Sequence, residues 1–220
     1  MEATVTALEL GSVALPDAHP RAADKTCPIR AFVIDHGDGL LLFDTGVGVG
    51  SEVIEALYRP TTVPIIDALN ANGFDERDVV AIISSHLHFD HCGQNARFPS
   101  VPVYVQRVEL ETSRTENYTI SEWAEISIKR QRLLDGDEEI ADGVRVIATP
   151  GHSPGHQSVL VGGDLIVAQA CYSCAEFDAG VVASSELHDP SFAEPGAQSI
   201  KRLRELGAKR HHFSHDRTVG

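Results

Sequence analysis

Residues 86–91, His-Leu-His-Phe-Asp-His, place four side chains that can bind a metal within six positions. The candidates are His86, His88, Asp90 and His91. Imidazole nitrogens combined with a carboxylate suit zinc or a similar divalent metal. A run of surface or capping polar residues rarely gathers three histidines and an aspartate in this way. The hexapeptide therefore predicts a metal centre.

An apolar segment directly precedes this hexapeptide. Residues 79–83, Val-Val-Ala-Ile-Ile, are mostly β-branched and predict a short buried strand, and Ser84 and Ser85 follow it. The ligand candidates therefore begin on a loop just past the carboxyl end of a strand. Active sites of α/β folds are commonly built at such strand ends.

Two further histidine segments follow predicted strands. Residues 149–156, Thr-Pro-Gly-His-Ser-Pro-Gly-His, come after the apolar segment 144–148, and their two Pro-Gly pairs favour a rigid turn. A histidine on such a turn has little freedom to lose on binding metal, so His152 is the next ligand candidate. His156 ranks below it, as a donor of hydrogen bonds within the turn. His215 follows a predicted strand at 211–213; the alternative is an exposed polar tail.

With these motifs the chain resembles the metallo-β-lactamase fold superfamily. The resemblance rests on His-x-His-x-Asp-His, on the later Gly-His turn, on a histidine near the C-terminus and on Asp44-Thr45-Gly46 after an apolar segment. It covers residues 30–216. It implies an α/β fold, the four-layer αβ/βα sandwich of this superfamily, and one hydrolase domain over residues 1–220.

Within the superfamily the chain is most similar to the N-acyl-homoserine lactonases. This narrower match adds Gly-His-Ser-Pro-Gly-His-Gln-Ser at 151–158, Ala-x-Tyr at 170–172 and Ser-His-Asp at 214–216. It implies two metal sites, with His86, His88 and His152 in the first and Asp90, His91 and His215 in the second.

The same resemblance implies roles for three further side chains. Tyr172 is expected to stabilise the carbonyl oxygen as it becomes an oxyanion; the alternative is a core tyrosine whose hydroxyl is bonded elsewhere. Asp90 is expected to orient the nucleophile and later to help protonate the leaving alkoxide. Asp44 is expected to anchor a metal ligand without binding metal itself.

Gln169 departs from the family pattern. Members carry an aspartate that bridges two metals at the end of the strand after the Gly-His turn, and this chain has Gln169 there, three residues before Tyr172. An amide oxygen can bind one metal weakly at best, so the second metal is expected to be held less firmly. The site then holds one metal firmly, or two metals through a bridging hydroxide and the other ligands, or metal with little catalysis.

The resemblance implies a hydrolase that uses one or two divalent ions, zinc being the first candidate. Such an ion lowers the pKa of bound water from about 15.7 to about 7, so that hydroxide can attack a lactone or ester carbonyl at neutral pH. N-acyl-homoserine lactones, and hence quorum quenching, are the first substrate and role to test. The alternatives are a thioesterase or a β-lactam or ester hydrolase of this fold, and a metal-binding protein with lapsed catalysis. Because a single ligand position is changed, an active enzyme is favoured.

Composition limits the partners. The 220 residues suffice for one core, and the formal charge of −14 argues against a nucleic-acid partner. No basic and apolar leader and no apolar run of membrane-spanning length is present, so a cytoplasmic protein acting on a small molecule is expected, without membrane contact. The cysteines are then free thiols, and Cys171 and Cys174 are more consistent with packing than with redox work.

Local patterns also predict individual elements. Strands are expected at 4–13, 29–35, 40–44, 101–106 and 164–168. Helices are expected at 51–58, 64–72, 108–114, 121–134 and 195–206.

Overall fold

The computed structural model describes residues 3–19, 21–183 and 190–220, which form two β-sheets and seven α-helices. The strands are β1 Thr4–Ala14, β2 Thr26–Asp35, β3 Leu40–Phe43, β4 Thr61–Thr62, β5 Val79–Ile83, β6 Val103–Gln106, β7 Gln131–Leu134, β8 Glu138–Ala141, β9 Val144–Ala148, β10 Gln157–Val161, β11 Asp164–Ala168 and β12 Arg210–Phe213. The helices are α1 Glu52–Tyr58, α2 Ile65–Ala71, α3 Phe89–Cys92, α4 Arg107–Thr112, α5 Ser121–Ala124, α6 Cys174–Ala179 and α7 Ala193–Glu205.

Both sheets are mixed. The larger has the strand order β4-β1-β2-β3-β5-β6-β7. The pairs from β4 to β3 are antiparallel, and the pairs from β3 to β7 are parallel. The smaller has the order β12-β11-β10-β9-β8, with β11 and β12 parallel and the other pairs antiparallel. The parallel strands therefore end at one edge of each sheet, where loops can carry a shared site.

Side chains alternate between the two faces of each sheet, and this alternation separates the core between the sheets from the outer helical layers. In β2, Phe32 and Ile34 pack into the core between the two sheets, while Ala31 and Val33 face the helices on the outer side. Ile166 of β11 lies in the same central core, and its neighbours in that strand face a third core with α6 and α7. The order helix, sheet, sheet, helix confirms the four-layer α/β sandwich that the resemblance implied.

The structure corrects the predicted helix at 121–134. Only Ser121–Ala124 is helical, and Gln131–Leu134 forms β7, which pairs parallel with β6. Arg130 fixes the turn before this strand, because its guanidinium donates to the carbonyl oxygens of Val101 and Asn95. The strand pairing therefore overrides a local sequence that favours helix. The predicted strand at 79–83 has the bounds of β5.

Two further expectations bear on the environment of the chain. All four cysteines are free thiols, as expected; Cys27, Cys92 and Cys171 are buried and Cys174 is partly exposed. Among the residues described, none of the helices has the length and apolar character needed to cross a membrane.

Candidate metal centre

The structure gathers the six main ligand candidates into two adjacent groups. His86, His88 and His152 form the first group, and their ligand atoms lie within 4.8 Å of one another. In it, Nδ1 of His88 lies 3.0 Å from Nε2 of His86 and 3.1 Å from Nε2 of His152. All three side chains are buried. Three imidazole nitrogens converging on one point make a site that leaves a coordination position open.

Asp90, His91 and His215 form the second group, and their ligand atoms also lie within 4.8 Å of one another. Oδ2 of Asp90 lies 3.5 Å from Nε2 of His91 and 3.5 Å from Nε2 of His215. The rings of His86 and His91 have centroids 4.1 Å apart, so the two groups are neighbours. One carboxylate with two imidazoles is again a donor set suited to a divalent metal.

A change of backbone conformation divides the hexapeptide between the groups. His88 is extended and ends the loop that follows β5, whereas Asp90 and His91 lie in the single helical turn α3. The segment before α3 carries His86 and His88 of the first group, and the helical turn carries Asp90 and His91 of the second. His152 lies on the turn between β9 and β10.

Asp44 is hydrogen-bonded directly to the second group and, through Ser85, to the first, but belongs to neither. Its Oδ2 accepts hydrogen bonds from Nδ1 of His91 at 2.8 Å and from Oγ of Ser85 at 2.7 Å. Since the Ser85 hydroxyl donates to Asp44, its oxygen accepts from Nδ1 of His86 at 2.9 Å. Asp44 directly follows β3 with a positive φ of 60°, a conformation that costs an ordinary residue about 1 kcal/mol or more. Such strain is consistent with a supporting role at a functional site.

These bonds fix which ring nitrogens carry protons. His215 donates from Nδ1 to the carbonyl oxygen of Pro28 at 2.9 Å. With the Nδ1 protons of His86 and His91 also committed, the neutral form of each of the three rings presents its Nε2 lone pair to the groups. The buried Nε2 of His215 has no hydrogen-bond partner among the described residues. A divalent metal would satisfy these convergent lone pairs, so the donor set fits such an ion.

The electrostatics of the groups differ. Burial lowers the pKa of His86 and His152, and it lowers the pKa of His88 and of His215 to about 4, so these rings are neutral near pH 7. Burial alone would lower the pKa of His91 too, but the nearby carboxylates of Asp90 and Asp44 raise it to about 10. In the absence of metal, a proton on His91 balances part of the negative charge of the second group.

Gln169 directly follows β11 and lies beside the second group. Its side-chain Oε1 is 2.8 Å from Nε2 of His91, and the residue is 5% exposed. The residue before it, Ala168, has a φ of 57°, so the chain turns sharply out of the strand. The amide of Gln169 therefore occupies a position from which a carboxylate would face the ring nitrogen of His91.

Tyr172 lies between the two groups. Its ring centroid is 5.7 Å from that of His215 and 6.4 Å from that of His152. Its hydroxyl is 3.4 Å from Nε2 of His19, and the guanidinium carbon of Arg21 lies 4.8 Å from its ring centroid. Burial, followed by the charge of Asp90, raises the pKa of Tyr172, so the phenol keeps its proton at neutral pH.

His156 lies outside both groups, in agreement with its lower rank. Its Nε2 accepts a hydrogen bond from the backbone N–H of Gln169 at 3.2 Å, so its Nδ1 carries the proton and donates to Thr149 Oγ1 at 2.8 Å. His156 thus links the histidine turn to the end of β11. Cys92, next in sequence to His91, is fully buried and packs as a small neutral side chain.

A cavity of about 500 Å³ opens onto both groups. Its ligand-bearing end is formed by His88, Asp90, His152, Gln169, Tyr172 and His215. Its other walls are mainly apolar and include Ile54, Leu57, Phe89 and Ile120. Ser51 begins α1 by capping it, with its Oγ accepting from the N–H of Ile54 at 3.4 Å, and so places the apolar wall beside the site.

Sequence reasoning missed two residues at this site. His19, in the loop after β1, is an isolated histidine, and no neighbouring motif marks it. Glu109 was assigned only to a helix, yet it is fully buried and accepts hydrogen bonds from both ligand-bearing loops. No local pattern marks it, because its burial depends on the packing of α4 against the turn at Gly155.

Comparison with known proteins places this geometry in a family. The family model of the metallo-β-lactamase superfamily matches residues 24–213. N-acyl homoserine lactonase AiiA of Bacillus thuringiensis subsp. kurstaki is 32% identical over 209 residues, covering 86% of this chain and 81% of that protein. N-acyl homoserine lactonase AttM of Agrobacterium fabrum is 33% identical over 161 residues, covering 63% of this chain and 61% of that protein.

A solved structure extends the comparison to three dimensions. It is an N-acyl homoserine lactone hydrolase with the product N-hexanoyl-L-homoserine bound at its catalytic metal centre. It matches with a TM-score of 0.81 at 29% identity and covers 99% of this chain and 95% of the solved chain.

Proposed function

The chain belongs to the metallo-β-lactamase superfamily, and we propose that it is a metal-dependent lactonase that opens N-acyl-homoserine lactones. The observation that carries the proposal is the pairing of two buried ligand groups with one cavity whose other lining is mainly apolar. A lactone ring needs a polar, activating end, and an acyl chain needs apolar walls. The cavity offers both within one volume.

The proposed metal ligands are His86, His88 and His152 in the first group and Asp90, His91 and His215 in the second, with Gln169 as a weak oxygen donor. Zinc is the proposed ion, because it is bound by imidazole and carboxylate in tetrahedral sites that keep one position open. A divalent metal held there supplies Lewis acidity, which lowers the pKa of water to about 7 and polarises a carbonyl group.

Two side chains of the chain itself would then act on the substrate. The Tyr172 hydroxyl stays protonated and lines the cavity, so it can donate a hydrogen bond to the carbonyl oxygen as negative charge develops there. Burial opposes ionisation of Asp90, but His91, His215 and His88 together lower its pKa, so it is a carboxylate at neutral pH. As a base at the cavity wall it can hold the proton of the attacking water and return it to the leaving alkoxide.

The apolar walls favour an acyl substituent on the lactone. Leu57 and Ile54, on α1, and Phe89 and Ile120 line the same cavity as the ligand groups. Burying an acyl chain there would contribute about 0.8 kcal/mol per methylene group. A relative of this fold binds N-hexanoyl-L-homoserine at its metal centre, which supports the same substrate class for this chain.

The role proposed for such an enzyme is quorum quenching in the cytoplasm. Four free thiols, three of them buried, are consistent with a reducing compartment. The substrate is a small molecule, and a formal charge of −14 opposes binding of nucleic acid.

A substrate panel with metal analysis tests the proposal. The purified protein, loaded with Zn²⁺, is assayed against N-hexanoyl-homoserine lactone, a simple aryl ester, an acyl thioester and a β-lactam. The expected result is the highest kcat/KM for the lactone, lost on chelation. A thioester or β-lactam preference would replace the proposal with the corresponding hydrolase, and full metal content without turnover of any substrate would indicate lapsed catalysis.

A further inference from the structure

Glu109 is a buried carboxylate outside both ligand groups, and the four hydrogen bonds that it accepts from described residues all come from the walls of the first group. It lies on α4 and is 0% exposed. Its Oε1 accepts from the backbone N–H of Leu87 at 2.8 Å and from the hydroxyl of Tyr118. Its Oε2 accepts from the hydroxyl of Ser153 at 2.8 Å and from the backbone N–H of Gly155 at 3.0 Å.

The donors belong to the segments that carry the first group. Leu87 stands between His86 and His88, and Ser153 directly follows His152. The Tyr118 ring lies 4.8 Å from that of His88, centroid to centroid. One carboxylate therefore bridges two segments that are more than sixty residues apart in sequence. Within the described part of the chain, no side chain of the second group donates to Glu109.

Packing at Gly155 reinforces this bridge. A Cβ added at Gly155 would lie 2.4 Å from Cβ and 2.5 Å from the backbone nitrogen of Glu109. The turn that bears His152 is therefore in direct contact with the first residues of α4, with no space for a side chain between them. Glycine at 155 and glutamate at 109 together set the distance between turn and helix.

We propose that Glu109 is a positioning residue that joins the His86/His88 loop to the His152 turn and thereby sets the metal affinity of the first group. The proposal depends on the metal site of the proposed function but not on its substrate. Supporting groups of this kind typically change metal affinity by about 10- to 100-fold when they are replaced.

The chemistry of the donors makes Glu109→Gln an informative change. Both carboxylate oxygens accept two bonds, whereas an amide keeps one accepting oxygen and presents an NH₂ group in place of the other. The hydroxyls of Tyr118 and Ser153 can rotate to accept from that NH₂. The backbone N–H of Leu87 or of Gly155 cannot, so one ligand segment loses its anchor.

The test measures each group separately in the full-length chain. In a His215→Ala background, which leaves the first group, Glu109→Gln is expected to weaken Zn²⁺ binding by about 10- to 100-fold in competition with a chromophoric chelator. The visible absorption of the Co²⁺-loaded first group should change as well. In a His88→Ala background, which leaves the second group, the same change should not alter affinity. Glu111→Gln removes the same charge from an exposed position of α4 and should be silent in both.

Three results would overturn the proposal: unchanged affinity and Co²⁺ spectrum of the first group, equal weakening of both groups, or an equal effect of Glu111→Gln. If Glu109→Gln does not fold, Ser153→Ala removes one donor from the bridge without stranding a backbone N–H. It is expected to weaken the first group by about threefold to tenfold, the equivalent of one hydrogen bond, and an unchanged affinity would contradict the proposal. If the unmodified chain binds metal but opens no lactone, the proposed function fails. The measured metal affinities of the Glu109 variants still test the positioning role of Glu109.

Discussion

The side-chain oxygen of Gln169 lies 2.8 Å from Nε2 of His91, the ring nitrogen that His91 would present to a metal. His91 already donates from Nδ1 to Asp44, so a neutral ring has only a lone pair at Nε2. The contact then requires a second proton on His91 or an amide turned with its NH₂ toward the ring. Either arrangement uses the electron pair that a metal needs, so a metal at the second group would have to displace this contact before Gln169 could serve as a weak oxygen donor.

Gln169→Asp is expected to tighten the second metal by about 10- to 100-fold, because a carboxylate adds negative charge and removes the amide that contacts His91. Chelator titration of both proteins, with metal counted at each step, measures the change. Gln198→Asp, which adds the same charge at an exposed position of α7, is the control. Equal and tight occupancy of two metals in the unmodified chain would contradict this explanation.

His88→Ala should abolish firm metal binding by the first group and nearly all hydrolysis. His88 is the residue whose Nδ1 lies within 3.1 Å of the other two ring nitrogens, so its removal opens the group at its centre. Metal analysis after gel filtration, together with turnover, checks this. His36→Ala, in the hairpin between β2 and β3, is the matched control. Metal content and turnover that both survive His88→Ala would show that the ligand assignment is wrong.

Tyr172→Phe should lower turnover by about 100- to 1,000-fold, the usual effect of removing one donor to an oxyanion. The ring and its contacts with His152 and His215 remain, so metal content and melting temperature should be retained. Steady-state kinetics with the lactone and a thermal melt measure both properties. Tyr104→Phe, on β6 outside the cavity, serves as the control. Unchanged turnover would remove Tyr172 from the mechanism and weaken the lactonase proposal.

Leu57→Ala should raise KM for long acyl chains more than for short ones. Leu57 is 54% exposed and lines the cavity, so its truncation removes apolar contact with the substrate while costing the fold little. Losing about 1 kcal/mol of contact corresponds to roughly fivefold in KM for a decanoyl substrate. Val49→Ala, exposed but not in the cavity wall, is the control. An equal effect on butanoyl and decanoyl lactones would show that the acyl chain does not bind at this wall.

The residues of the two groups could be picked out from the sequence because they lie in short segments that follow apolar strands, and their role as metal ligands stays a prediction. His86, His88, Asp90 and His91 are contiguous, and the Pro-Gly pairs mark the turn that holds His152. A pattern of this kind can be recognised from a few neighbouring residues, without knowledge of the rest of the fold. The division of the hexapeptide into two groups was implied by the resemblance, and the structure explains it physically by the single helical turn at Asp90 and His91.

Features that depend on distant contacts were not predictable in the same way. The segment 131–134 is a strand because it pairs with β6, and no local pattern reports that pairing. Glu109 becomes part of the site only when α4 packs against the turn at Gly155. His19 reaches Tyr172 across 153 positions of sequence. In each case the determining partner lies far along the chain.

The central claim, a lactonase that depends on metal held by the two ligand groups, is tested most directly by adding Zn²⁺ to metal-free protein while lactone ring opening is followed by NMR. The account predicts that metal-free protein leaves N-hexanoyl-homoserine lactone intact, and that ring opening rises with Zn²⁺ added to the unmodified chain but not to His88→Ala. Equal ring opening by metal-free protein, or no ring opening by protein shown to hold its full complement of metal, would contradict it.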